Sequence, residues 1–173
     1  MEHHVAEQVL PALFNASGKM NDTLWLILNK CPKEEFDAYR RGTGKAMGYL
    51  YVDIIRPILR EHPDLEPEEL KGPYEAGNPV QPDDPGIPME RPIAEQALAA
   101  FKDASLEVRN TLSLIEKECP EEELVAYRTA VDEAMGFLFT EVIEPILRQH
   151  PDLAPEEMKN HLRNTDEPPN RDE

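Results

Sequence analysis

Two cysteines, Cys31 and Cys119, are the side chains in this sequence whose type could support nucleophilic chemistry. Each is followed by a proline and then by acidic residues, a pattern typical of the start of a helix. A thiol at a helix N-terminus can have a lowered pKa and be reactive. However, neither cysteine has a histidine beside it in the sequence, and their spacing does not suit a metal site. We therefore expect both to be small side chains that close turns, and a thiol-dependent enzyme is the less favoured alternative.

The tripeptide His-Pro-Asp occurs twice, at 62–64 and at 150–152. Histidine is favourable at the C-terminus of a helix, proline ends the helix, and aspartate sets the following turn. The tripeptide also resembles the signature loop of J-domain co-chaperones, which implies a chaperone partner. The resemblance covers three residues in each copy and does not extend to the flanking sequence. The preferred interpretation is a helix stop, with His62 and His150 as candidate residues for binding a partner.

Other motifs that would indicate an enzyme do not occur in the sequence. It contains no Glu-x-x-His pair of a di-iron bundle and no His-Glu-x-x-His zinc motif. Residues 41–45 contain two glycines and a lysine but lack the spacing and the preceding strand of a phosphate-binding loop. We therefore expect a protein that is not an enzyme and that needs no metal and no cofactor.

These residues lie in a chain that repeats itself. Residues 5–71 and 93–159 align without a gap at an offset of 88, and 35 of the 67 aligned positions are identical. Self-similarity at a fixed period indicates two copies of one structural module with the same buried face. Because a module of fewer than about 80 residues has only a marginal core of its own, we expect the two copies to share one core.

Each repeat is predicted to be a helical hairpin. Apolar side chains recur every three or four residues, which is the period of a helix that buries one face. In the first helices these are Val5, Val9, Leu13, Ala16, Met20, Leu24 and Ile27, and Ile93, Ala97, Phe101, Ala104, Val108, Leu112 and Ile115. The second helices follow the Cys-Pro turns and contain Pro57 and Pro145 near their ends. Each proline is expected to kink its helix or to shift the final turn.

The resulting fold prediction is an all-α chain. Two tandemly duplicated hairpins would form a four-helix bundle, in effect a fused pseudo-dimer with a long Pro-rich crossover. We divide the chain into repeat 1 (1–72), a Pro-rich linker (73–90), repeat 2 (91–162) and a flexible polar tail (163–173). A linker of this length can run along the whole bundle, which would place the two Cys-Pro turns at opposite ends.

The middle of each second helix is apolar on more than one side, which makes it the candidate binding region. Glycine costs about 1 kcal/mol relative to alanine inside a helix, so its presence at 48 and 136 indicates close helix approach or, alternatively, space for a ligand. Close approach is the preferred reading. The candidate ligand- or partner-binding residues are Tyr39, Met47, Gly48, Tyr51, His62, Tyr127, Met135, Gly136, Phe139 and His150.

Composition narrows the class of partner. The formal net charge of −17 repels nucleic acid and anionic lipid, and no apolar stretch approaches the length of a membrane span. The N-terminus lacks the pattern of a signal peptide, so a cytoplasmic protein is expected. We expect an acidic interaction or regulatory module whose protein partner could be basic. The alternative is a carrier that binds a small hydrophobic ligand at the bundle centre. The oligomeric expectation is a monomer with a pseudo-two-fold axis, or a weak homodimer.

Overall fold

The computed structural model describes residues 1–71 and 88–159, and helices dominate both ranges. The described residues contain no strand, which confirms the prediction of an all-α protein. The α-helices are α1 (His3–Ile27), α2 (Lys33–Tyr49), α3 (Arg56–Glu61), α4 (Arg91–Glu118), α5 (Glu121–Leu138) and α6 (Glu144–Gln149). None of the described helices is both long enough and apolar enough to cross a membrane.

Helices α1 and α4 pack side by side and run in opposite directions. Near the start of α1, His4 lies 3.7 Å from the carboxylate of Glu118 at the end of α4. Four turns further along α1, the ammonium group of Lys19 lies 2.6 Å from Glu107, which is closer to the start of α4. The Cys-Pro turns that follow the two helices therefore lie at opposite ends of this pair.

Helices α2 and α5 form the second antiparallel pair. The ring of Tyr49 stacks on that of Phe137, with 4.7 Å between the centroids, and these two residues occupy the same position of the two repeats. Lys45 approaches Glu141 to 2.5 Å beside this stack. Both contacts join one repeat to the other across the same pair of helices.

One connected cluster of buried apolar side chains contains residues of both repeats. Its fully buried members include Leu13 and Met20 from α1, Phe101 from α4, Leu50 directly after α2, and Leu138 at the end of α5. The helical periodicity in the sequence predicts these residues, because each lies on the apolar face of its helix.

The predicted ends of the second helices are confirmed. Helix α3 ends at Glu61 and α6 at Gln149, each immediately before a His-Pro pair. Single turns of 3₁₀-helix follow at Pro63–Leu65 and Pro151–Leu153, and another at Glu68–Leu70. The predicted linker 73–90 lies outside the described residues up to residue 87, and so does the tail 163–173.

The prolines of the second helices are accompanied by a wider helical turn. A π-helical segment joins α2 to α3 at Leu50–Ile55, and another joins α5 to α6 at Phe139–Ile143. Each segment ends two residues before Pro57 or Pro145. Proline donates no backbone hydrogen bond and crowds the carbonyl four residues earlier, so a turn with a longer hydrogen-bond period accommodates it. The shift of the final turn that the prolines predict thus takes the form of a π-helical segment.

The prediction of close helix approach at Gly48 and Gly136 is wrong. A Cβ atom added at either position would meet no atom within 4 Å. The close approach lies instead at Gly42, where a Cβ would be 2.7 Å from Cβ of Glu141 and 2.8 Å from Cγ2 of Val142. The second repeat has alanine at the position equivalent to Gly42, so the glycines shared by both repeats are not the ones that admit a neighbouring helix.

Candidate functional site: the groove between α4 and α5

A groove with a volume of about 580 Å³ lies between α4 and the continuous helical rod formed by α5, the π-helical segment and α6. We call it the α4–α5 groove. The 3₁₀ turn after α6 and the residues that follow it complete its wall. It is lined by Leu98, Ala99, Lys102, Ser105, Arg109, Asp132, Met135, Gly136, Phe139, Ile143, Leu147, Leu153, Pro155 and Met158.

Helical periodicity places these side chains on two facing walls. The α4 residues follow each other at intervals of one to four residues, from Leu98 to Arg109, along one stripe of that helix. The opposite wall runs from Asp132 to Leu147 at similar intervals. Gly136 lies in the middle of this wall. Because glycine has no side chain, it leaves open space in the groove that a leucine at this position would fill.

The two ends of the groove differ in polarity. Because α4 and α5 are joined by the short turn after Glu118, Arg109 and Asp132 lie towards that turn. Towards the other end the lining is apolar, with Leu147, Leu153 and Met158. A ligand that lies along the groove would therefore meet charge at one end and hydrocarbon at the other.

The two basic residues of the groove have no acidic partner. Lys102 and Arg109 are exposed, and neither forms an ion pair with any residue that the structure describes. In a chain with a net charge of −17, the position of these two cations beside an apolar groove makes them a candidate recognition feature.

The first repeat does not reproduce this chemistry. At the positions equivalent to Lys102 and Arg109 it has Phe14 and Asn21. A cavity of about 410 Å³ is found there, lined by Glu7, Leu10, Pro11, Phe14, Leu65 and Pro67, and none of these residues is basic. The difference between the repeats at these positions is the signal by which sequence reasoning could have found Lys102 and Arg109.

The structure brings some of the predicted site residues together and separates others. Met135, Gly136 and Phe139 all line the α4–α5 groove, which belongs to the second repeat alone. Their counterparts Met47, Gly48 and Tyr51 lie in the first repeat, where Met47 is half-buried and Tyr51 is 40% exposed. The sequence had placed all six residues around one pocket at the bundle centre.

Two of the three tyrosines among the predicted site residues, Tyr39 and Tyr127, are core residues. The hydroxyl of Tyr127 lies 2.6 Å from that of Thr111, and the hydroxyl oxygen of Tyr39 accepts a hydrogen bond from Nε2 of Gln149 at 3.2 Å. Burial raises the pKa of Tyr127 to about 12 and also raises the pKa of Tyr39. Both phenols are therefore neutral and already paired, so they contribute to packing.

Each of the two histidines among the predicted site residues joins the two ends of its repeat by a hydrogen bond. Nε2–H of His62 donates a hydrogen bond of 2.8 Å to the backbone carbonyl of Met1, and that of His150 donates one of 3.0 Å to the carbonyl of Met89. We call each His-Pro-Asp segment with its contacts an end clasp. The aspartates complete them, because Asp64 bonds to His3 and Asp152 to Arg91.

The hydrogen bonds in the end clasps shift the aspartate pKa values. The bond from the imidazole of His3 lowers the pKa of Asp64, and the bond from the guanidinium of Arg91 lowers the pKa of Asp152. All four side chains are exposed to solvent, which screens these interactions, so they orient the turn more than they stabilise the fold.

The environments of the cysteines oppose thiolate formation. Cys31 is completely buried, and its thiol lies 3.9 Å from the backbone carbonyl of Ile27. Burial, together with the nearby charge of Glu35, raises the pKa of Cys31 to about 12. Cys119 is only partly buried, and burial followed by the charge of Glu123 raises its pKa as well. Both thiols are free.

We expect the two thiols to react with a disulfide reagent at very different rates. Cys119 should react in the folded protein more slowly than an exposed model thiol, because its thiolate fraction is reduced. Cys31 should react only when the protein opens, because it has no exposed surface. The measurement is a time course of Ellman's reagent on the wild type and on the Cys119→Ser variant. Rapid labelling of the folded Cys119→Ser variant would contradict the buried placement of Cys31.

Comparison of the chain with protein-family models, with curated proteins and with solved structures found no match. Within residues 1–71 and 88–159, no group of three or more histidine, cysteine, aspartate or glutamate side chains could hold a metal ion. The site must therefore be interpreted from its own geometry.

Proposed function

We propose that this chain is a non-enzymatic binding protein whose α4–α5 groove holds an apolar ligand. The observation that carries the proposal is the groove itself. Its volume of about 580 Å³ falls within the range of known ligand pockets, and its lining is mostly hydrocarbon with a few polar groups. The proposal corresponds to the carrier hypothesis from the sequence, with the pocket moved from the bundle centre to one hairpin.

Three observations support a role without catalysis. The groove contains no cysteine or histidine, and its ionisable residues are Lys102, Arg109 and Asp132. The cysteines lie elsewhere with raised pKa values, and the histidines of the end clasps are occupied by backbone carbonyls. We also propose a cytoplasmic location, with which the free thiols are compatible.

We further propose that the chain is a four-helix bundle built from two duplicated hairpins that share one core. The contact between Tyr49 and Phe137 supports this arrangement, since equivalent residues of two related modules meet only at a two-fold axis. The end clasps at His62 and His150 repeat at the same offset. In this view the single chain keeps the geometry of a fused dimer, and the two grooves have diverged.

The ligand proposal can be tested by filling the groove at its glycine. Gly136→Leu is expected to weaken binding of the neutral dye N-phenylnaphthylamine by at least about tenfold, because the new side chain occupies the space that the ligand needs. The variant should fold, since the added Cβ meets no atom within 4 Å and leucine is a better helix former than glycine. Binding is measured by dye fluorescence and folding by circular dichroism.

Gly48→Leu is the matched control for this experiment. It makes the same substitution at the equivalent position of the first repeat, where the added Cβ is also free of contacts. We expect it to leave dye binding unchanged. A wild-type protein that does not bind the dye, or a Gly136→Leu variant that binds it as well as the wild type, would refute the groove as the binding site.

A protein-interaction module is the second candidate function. It is favoured by large apolar side chains on the surface, among them Trp25 at 57% and Val125 at 55% exposure, together with the strongly acidic composition. A basic partner would complement this charge, and its binding would weaken as salt rises. Affinity capture at low and moderate salt tests this candidate, and a salt-insensitive result would contradict a charge-driven interaction.

A further inference from the structure

We propose that the ligand of the α4–α5 groove is an anionic amphiphile, namely an alkyl chain that ends in a carboxylate. This inference rests on the proposed function of the groove and adds the chemical class of its ligand. It follows from the juxtaposition of a hydrocarbon-lined end with Arg109 at the opposite end and Lys102 on the rim between them.

The apolar part of the groove fits an alkyl chain. Leu147, Leu153 and Met158 surround one end, and Phe139 and Ile143 continue the hydrocarbon surface towards the middle. Methionine and leucine side chains adapt to a flexible chain without imposing hydrogen-bonding requirements. Burial of each methylene group in such a lining is favourable, because it removes apolar surface from water.

The charged part of the groove fits a carboxylate. Lys102 and Arg109 lie seven residues apart on one face of α4, which corresponds to about 10.5 Å along the helix. Between them, Ser105 lines the groove with its hydroxyl donated to the carbonyl of Phe101, so the cations are the remaining donors on this wall. Lysine and arginine both donate charge-assisted hydrogen bonds to a carboxylate, and arginine can do so through two N–H groups.

Asp132 faces these cations from the opposite wall and makes the assignment testable. With Asp132 counted, the ionisable residues that line the groove sum to a charge of +1 within a chain of −17. A carboxylate head group would be attracted by the two cations and repelled by Asp132. Neutralising Asp132 should therefore strengthen binding of an anion more than it changes binding of an uncharged analogue.

The first repeat lacks the charged residues that would bind the head group of the ligand in the second repeat. Lys102, Arg109 and Asp132 correspond to Phe14, Asn21 and Gly44, so all three charges are absent there. The apolar leucines, in contrast, are kept, for example Leu98 as Leu10. The two cavities thus differ in charge at the positions where the head group of an amphiphile would bind.

The experiment compares dodecanoate with dodecanol, each below the concentration at which it aggregates, by isothermal titration calorimetry on the full chain. We expect the wild type to bind dodecanoate about fivefold more tightly than dodecanol, a modest preference because the cations are exposed. The preference should fall as salt is raised. Lys102→Gln combined with Arg109→Gln should abolish it, and Asp132→Asn should increase it.

The possible failures of this experiment are distinguishable from failure of the groove itself. Equal binding of dodecanoate and dodecanol by the wild type, or an unchanged preference in the double variant, would overturn the carboxylate assignment. Binding of N-phenylnaphthylamine that remains sensitive to Gly136→Leu would show that the groove still functions as a site. If both the preference for dodecanoate and the dye binding that is sensitive to Gly136→Leu are absent, the proposed function is rejected as well.

Discussion

Replacement of Gly42 by alanine is expected to lower the free energy of unfolding by about 1–3 kcal/mol. Gly42 is buried in α2 where that helix meets the π-helical segment of the second repeat. The new Cβ would lie 2.7 Å from Cβ of Glu141 and 3.2 Å from its backbone oxygen, so the two elements must move apart. This cost exceeds the roughly 1 kcal/mol by which alanine is normally preferred to glycine in a helix.

Gly44→Ala provides the control in the same helix. Gly44 is exposed, and an added Cβ there meets no atom within 4 Å. We expect this variant to be more stable than the wild type by up to about 1 kcal/mol, so the two substitutions should have opposite signs. Urea unfolding followed by circular dichroism measures both. A Gly42→Ala variant that matches or exceeds the stability of the wild type would contradict the close packing of α2 against the second repeat.

The second large effect is expected for Phe101→Ala, which should lower the free energy of unfolding by about 3–5 kcal/mol. Phe101 has no exposed surface and belongs to the core cluster shared by both repeats. Truncation removes buried hydrocarbon and leaves a cavity that the surrounding helices fill only in part. Such a cost is comparable with the whole stability of many small domains, so the variant could unfold at room temperature.

Two further variants keep this prediction testable. Phe101→Leu introduces the residue that the first repeat has at the equivalent position, Leu13, and should cost less than about 1.5 kcal/mol. Leu106→Ala removes a side chain that is 47% exposed on the same helix and should change stability by less than about 0.5 kcal/mol. Equal effects of Phe101→Ala and Leu106→Ala in urea unfolding would place Phe101 outside the core.

Local patterns predict the helices and their ends. The apolar spacing of the first helices identifies buried residues such as Leu13 and Phe101, because a helix that packs against others must bury one face. The His-Pro pairs identify where α3 and α6 end, because proline cannot continue a helix. Both signals act within a few residues of the chain.

Contacts between distant elements could not be predicted in the same way. The role of Gly42 depends on the position of Glu141, which lies 99 residues further along the chain. The sequence instead predicts close packing at Gly48 and Gly136, which both repeats share, but a Cβ added at either glycine would meet open space. Agreement between repeats identifies what the two modules have in common, whereas the inter-repeat packing at Gly42 is a property of one module.

The sequence predicts only part of the candidate site, because the rest depends on how distant elements are arranged. Met135, Gly136 and Phe139 were found because the centre of the second helix is apolar on several sides, and the structure places them in the groove. Lys102 and Arg109 were not found, because exposed basic residues on a helix are common and nothing local distinguishes them. Their significance depends on the apolar wall opposite, which is a three-dimensional property.

The end clasps have a consequence for the internal motions of the protein. His62 holds the carbonyl of Met1, and His150 that of Met89, across 61 residues in each case. The first turn of α1 or α4 and the 3₁₀ turn of the same repeat must therefore separate together when either frays. Their amide hydrogens, for example those of Val5 and Leu65, would exchange with solvent through one shared opening event. The outer end of each repeat thus behaves as a single cooperative unit, although its parts are far apart in the chain.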